Sequence, residues 1–128
     1  MLSPNFLEKI ETIKKLPDNW DGQYAPKVDN ILMDISLHTV KTILSVYKLN
    51  EPDIGINFDG GIDLDWNTHQ LCTFYEENGL VIIYKKEAMG PSARLAPIVK
   101  TFPYENMENI QDECVNIIII YLKLLELI

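Results

Sequence analysis

IGINFDGGIDLDW, residues 54–66, reads as two short strands on either side of a turn. Asp59-Gly60-Gly61 supplies the turn, because glycine takes up positive φ without a Cβ clash. In the second strand, 62–66, Ile62, Leu64 and Trp66 alternate with Asp63 and Asp65. Successive strand side chains point to opposite faces, so this hairpin has one apolar, buried face and one wet, acidic face.

Downstream, QLCTFYE (70–76) continues the strand pattern, Glu77-Asn78-Gly79 marks a tight turn, and LVIIYKK (80–86) returns as a fourth strand. Residues 87–105 carry three prolines and a glycine and read as a long irregular connection, although RLAPIVKTF within it has room for a short edge strand. Residues 106–127 read as a helix. Met107, Ile110, Cys114, Ile117, Ile118, Tyr121, Leu124, Leu125 and Ile128 make its inner face, and Asp112, Asn116, Lys123 and Glu126 a narrow outer stripe. Val115, Ile119, Ile120, Leu122 and Leu127 spill around both flanks. One small sheet does not cover that much apolar surface, and large exposed apolar patches mark contacts. Ile119, Ile120, Leu122 and Leu127 are therefore the expected interaction surface, for a protein partner or a second copy of the chain.

Upstream, residues 4–15 read as a helix capped by Ser3, with Pro4 at its first position and Phe6, Leu7, Ile10 and Ile13 on one face. Pro17 stops it. A second helix runs over 30–48 from a cap at Asp29 or Asn30, with a broad apolar stripe that includes Leu32, Ile35, Val40 and Ile43. The expected fold is α+β in the order α-α-β-β-β-β-α: a four-stranded antiparallel meander in a single domain, 1–128, packed on one face by three helices.

Between the first two helices lies DNWDGQYAPK (18–27). Asp18, Asn19 and Asp21-Gly22 favour turns whose side chains bind nearby amides. Trp20, Asp21, Gly22, Gly60, Gly61 and Trp66 then form a structural clasp: the loop lies over the first hairpin, and Trp20 and Trp66 cover one end of the core. The competing reading is a ligand-binding loop.

The pairing of LPDNWDGQYAP with DGGIDLDW and YEENGLVIIYKK resembles a group of small uncharacterised bacterial proteins of the accessory genome. They carry a Trp-Asp-Gly-Tyr-Gly-Ala-like stretch followed by Asp-Gly-Gly-Ile-x-Leu-x-Trp. The likeness covers about residues 16–86, with Gln23-Tyr24-Ala25 standing where the group has Tyr-Gly-Ala. It implies no activity and transfers no catalytic residue.

The chain has 128 residues, a formal net charge of −8 and 47 % hydrophobic residues. That composition fits one folded domain and excludes a disordered segment. Eleven scattered basic residues against nineteen acidic ones disfavour direct binding of nucleic acid or of an anionic membrane; a basic partner surface is compatible. The first fifteen residues do not read as a signal peptide, and the apolar C-terminal run is shorter than the ~20 residues a bilayer requires, so a cytoplasmic location is expected. Cys72 and Cys114 form no CxxC pair and read as reduced, buried thiols; the alternative is a disulfide between them.

Chemistry-bearing patterns are sparse. Asn57, Asp59 and Asp63 begin like a calcium loop, but Ile62 and Thr68 stand where the glycine and the bidentate glutamate belong. Asp59, Asp63 and Asp65 are weak candidates for a divalent ion, against a solvated sheet face as the plain reading. His38 and His69 have no nucleophile paired with them, no phosphate loop or zinc spacing occurs, and no cofactor is implied. Arg94, the only arginine, is either a surface charge or an anchor for a partner's carboxylate. The expected function is a non-enzymatic protein-interaction module, with an inhibitor or antitoxin-like partner as its concrete form. The alternatives are a metal-assisted hydrolase built on the Asp59, Asp63 and Asp65 cluster and an acidic mimic of nucleic acid.

Overall fold

A computed structural model describes residues 2–67, 70–85 and 97–128. The elements are α1 (Pro4–Lys14), α2 (Asn30–Val46), β1 (Asp53–Ile56), β2 (Ile62–Trp66), β3 (Leu71–Tyr75), β4 (Gly79–Tyr84), β5 (Ile98–Pro103), a 3₁₀ turn (Tyr104–Asn106) and α3 (Ile110–Leu124). The strands form one antiparallel sheet in chain order, β1-β2-β3-β4-β5. The α+β meander with three helices is as the sequence predicts, but the sheet has five strands rather than four.

The fifth strand pairs along the whole of β4, from Gly79 opposite Pro103 to Tyr84 opposite Ile98. It sits at the sheet edge, where proline at a strand end costs no ladder bond. Ile98, Val99, Lys100 and Thr101 are all exposed, so no buried periodicity announces the strand. The last helix begins later than expected, at Ile110. Asn109 caps it by accepting the Asp112 amide, while the Glu113 carboxylate accepts the Asn109 amide, a reciprocal exchange that fixes the start.

The other helix starts follow their local chemistry. Ser3 accepts the Phe6 amide at the head of α1, and Asp29 accepts the amides of Ile31 and Leu32 at the head of α2. Glu51 takes both the Ser3 amide and hydroxyl at 2.6 Å, tying the front of α1 to the approach to β1. Phe6, Ile10 and Ile13 are buried, whereas Leu7 is exposed.

All three helices and the inner face of the sheet share one apolar cluster. From the sheet it takes Ile54, Ile62, Leu64, Trp66, Leu71, Tyr75, Leu80, Ile82 and Tyr84. α2 packs on β2, β3 and α3, and α1 packs on β1. Tyr121 of α3 meets Tyr84 at 5.1 Å and Phe102 at 6.2 Å between ring centroids, which anchors β5 to the helical layer. Buried hydroxyls are mostly satisfied: Ser36 donates to the Met33 carbonyl, Thr39 donates to the Ile35 carbonyl, and Thr73 accepts from the Trp66 indole. The Tyr75 hydroxyl, beside Thr39 and Thr73, meets hydrogen-bond geometry with neither. Among the described residues no helix is long and apolar enough to cross a membrane.

Candidate functional site

The loop 18–27 is closed by hydrogen bonds among its own residues. The Asp21 carboxylate accepts the amides of Gln23 and Ala25 at 2.9 and 3.0 Å, and the Gln23 bond foremost holds its pKa below the ordinary value. Asn19 accepts the Tyr24 amide, its own amide donates to the Ala25 carbonyl, and Asp18 accepts the Lys27 amide. Gly22, at φ 74°, closes the turn by donating to the Asn19 carbonyl.

The loop lies against the β1–β2 turn. Gly60, at φ 82°, is buried so tightly that a Cβ there would stand 2.9 Å from the Lys27 carbonyl oxygen, and its own carbonyl accepts the Asp29 amide. Gly61 is equally confined, 2.6 Å from the Tyr75 carbonyl oxygen by the same construction.

The two tryptophans do not share one end of the core. The Trp20 indole donates to the Pro26 carbonyl, and its half-buried ring stacks parallel on Phe58 at 6.4 Å. Phe58 lies in the β1–β2 turn. Trp66 lies at the opposite end of β2, 1 % exposed, with its indole on Thr73. Trp20 therefore joins the loop to the hairpin tip, while Trp66 belongs to the core at the far end, in register with Leu71 and Tyr84. The same tip leaves Tyr24 88 % and Phe58 71 % exposed.

The strand register separates the second face of the sheet from the first. Asp53, Gly55, Asp63, Asp65, Cys72, Phe74, Val81, Ile83, Val99 and Thr101 alternate with the buried set. Over β1 and β2 this face is acidic, as the sequence predicts. Over β3 to β5 it is apolar: Phe74, Val81 and Ile83 are half-buried and Val99 is 56 % exposed.

Asn57 organises the acidic half. Its side-chain oxygen accepts the amides of Asp59 and Gly61, which fixes the amide nitrogen toward Asp63 and Glu76 at 3.3–3.4 Å. Burial foremost raises the Asp63 pKa to about 6; the Asn57 bond opposes this and the Glu76 charge adds to it.

The metal candidates do not converge. Asp59 is exposed at the tip, Asp63 shares Asn57 with Glu76, and Asp65 lies opposite Asp53 and Cys72. Among the described residues no three His, Cys, Asp or Glu side chains are placed to hold a metal ion. Cys72 and Cys114 are free thiols on different sides of the sheet, one on the outer face of β3 and one inside α3. Burial, then Asp65 and Asp63, raise the Cys72 pKa, and burial pushes that of Cys114 up to about 12, so neither is primed as a nucleophile. His38 meets Asp112 at 3.2 Å, a link between α2 and α3. His69 and Arg94 lie outside the described residues.

The C-terminal helix retains less free surface than its composition suggests. Leu122 is fully buried and belongs to the core. Ile119 and Leu127 are half-buried against that core, and Ile120 is 62 % exposed. α3 packs on α2 as well as on the sheet, so two of its sides are covered.

Sequence reasoning missed a groove of about 870 Å³ between the hairpin tip, the β3–β4 turn and the end of β5. Asp59, Glu76, Glu77 and Glu105 rim it, and Val81, Pro103 and Tyr104 contribute apolar surface. A smaller recess between Tyr24 and Phe58 shares Asp59 with it. The rim was hard to foresee because its acids come from three separate segments; strand alternation alone could have flagged Val81 and Ile83 as an apolar second face. Comparison with protein-family models, with curated proteins and with solved structures finds no match to this chain.

Proposed function

We propose that the protein is a non-enzymatic interaction module that binds another protein through the outer face of its sheet, which no helix among the described residues covers. The observation that supports this is β4. Leu80 and Ile82 point into the core, and Val81 and Ile83 point the other way, so the strand is apolar on both sides. Strands with that pattern normally have a layer on each face. Among the described residues the helices cover only one. An inhibitor or antitoxin-like role suits a small domain with such a face. The exposed Ile120 and Leu124 on α3 are a smaller apolar surface and rank second. A net charge of −8 opposes pairing with a second copy and favours a partner of opposite sign.

The test is capture from a lysate of the native host on immobilised protein, comparing the wild type with an Ile83→Glu/Val99→Glu variant that has the same melting temperature. One stoichiometric partner, retained by the wild type and lost by the variant, is the expected result. Equal retention, or no retained protein, overturns the reading. Loss only with Ile120→Glu would move the interface to α3.

A further inference from the structure

We infer that the acidic groove beside the open sheet face receives a lysine- or arginine-bearing peptide segment of the partner; this deepens, and rests on, the interaction reading above. The groove draws four carboxylates from three segments: Asp59 from the β1–β2 turn, Glu76 and Glu77 from the β3–β4 turn, and Glu105 from the turn after β5. Among the described residues no lysine, arginine or histidine lines it. The ion pairs among the described residues are Lys9–Asp53 and His38–Asp112, and neither involves a carboxylate of the rim.

Like charges around one concavity raise the negative potential inside it, and a cation entering relieves that repulsion. The apolar surface of Val81, Pro103 and Tyr104 suits the aliphatic stems of lysine or arginine, whose charged ends then reach the carboxylates. Across Asp59, the exposed rings of Tyr24 and Phe58 offer faces on which a second cationic side chain can lie. Val81 also belongs to the open sheet face, so one extended segment can carry basic residues over the rim and apolar ones onto the strand surface. The same charge excludes a nucleic acid or an anionic membrane as occupant.

The probe is a fluorescein-labelled short peptide of arginine, leucine and serine, titrated with the full chain and read by fluorescence anisotropy. Binding that weakens steeply with salt is expected, with about a tenfold loss for Glu77→Gln/Glu105→Gln and none for Glu8→Gln/Glu11→Gln on α1. A peptide with glutamate in place of arginine should not bind. Equal losses for the two charge variants would show non-specific attraction and overturn the inference, as would no binding at all. Capture of the host partner separates the two proposals: a partner kept by Glu77→Gln/Glu105→Gln and lost by Ile83→Glu/Val99→Glu upholds the interaction reading and overturns this one.

Discussion

On the inner face of the sheet, Ile62, Leu64, Leu71, Tyr75, Leu80 and Ile82 are each 0 % exposed. One residue along each strand, Asp63, Asp65, Cys72, Phe74, Val81 and Ile83 on the outer face are only half-buried. The backbone is shared, and over β4 so is the side-chain chemistry. What differs is the layer above: α2 and α3 on one side, and no helix among the described residues on the other. Burial in this fold is thus decided by the helical layer, and the strand pattern alone overstates how much of the outer face must be polar.

The largest test of that contrast is a pair of truncations. Leu64→Ala should destabilise the fold by about 3 kcal/mol in chemical denaturation, because it opens a cavity in a closed core. Ile83→Ala should cost less, about 1.5 kcal/mol, since its side chain is already partly in water. Equal costs would show that the outer face is packed as tightly as the inner one, and the contrast would fail.

A smaller effect concerns charge on the outer face. Asp63 titrates near 6 in the fold against an ordinary 3.8, so between those values the folded protein holds a proton that the unfolded chain has released. Stability should therefore fall as the pH rises from about 4 to about 6, and the cost should be complete above that. Asp63→Asn should raise stability at neutral pH by about 1 kcal/mol, a figure reduced for solvent screening of a half-exposed group, and should leave it unchanged near pH 3. Melting temperature against pH for both proteins reads the difference; parallel curves would show that the outer face solvates the carboxylate fully.

The smallest effect belongs to the inner face. Tyr75→Phe removes a buried hydroxyl that lies beside Thr39 and Thr73 outside hydrogen-bond geometry, and should raise stability by about 0.5–1 kcal/mol. A loss instead would show that the hydroxyl is satisfied within the core.

The sequence was most legible where the signal is local. The alternation from Ile62 to Trp66, the caps at Ser3 and Asp29, and the Asp21 turn each involve neighbours a few residues apart. It failed where the cause is tertiary. Leu122 looks like surplus until α2 covers the second side of α3. Trp20 looks like a core residue until Phe58, from another turn, supplies its stacking partner. β5 is hidden because both its faces are exposed over Ile98 to Thr101 and prolines stand at 97 and 103.

Those prolines carry a consequence for how the molecule survives crowding. β1, at one border of the sheet, is guarded by α1 and by the Lys9–Asp53 ion pair. β5, at the other border, pairs with no further strand among the described residues, and such an edge of backbone donors and acceptors is the geometry on which chains template one another into aggregates. Lys100 at its centre, with Pro97 and Pro103 bracketing it, places a charge inside any such ladder and denies it an amide at either end. Colloidal stability at that border is therefore written into three side chains that add little to the core.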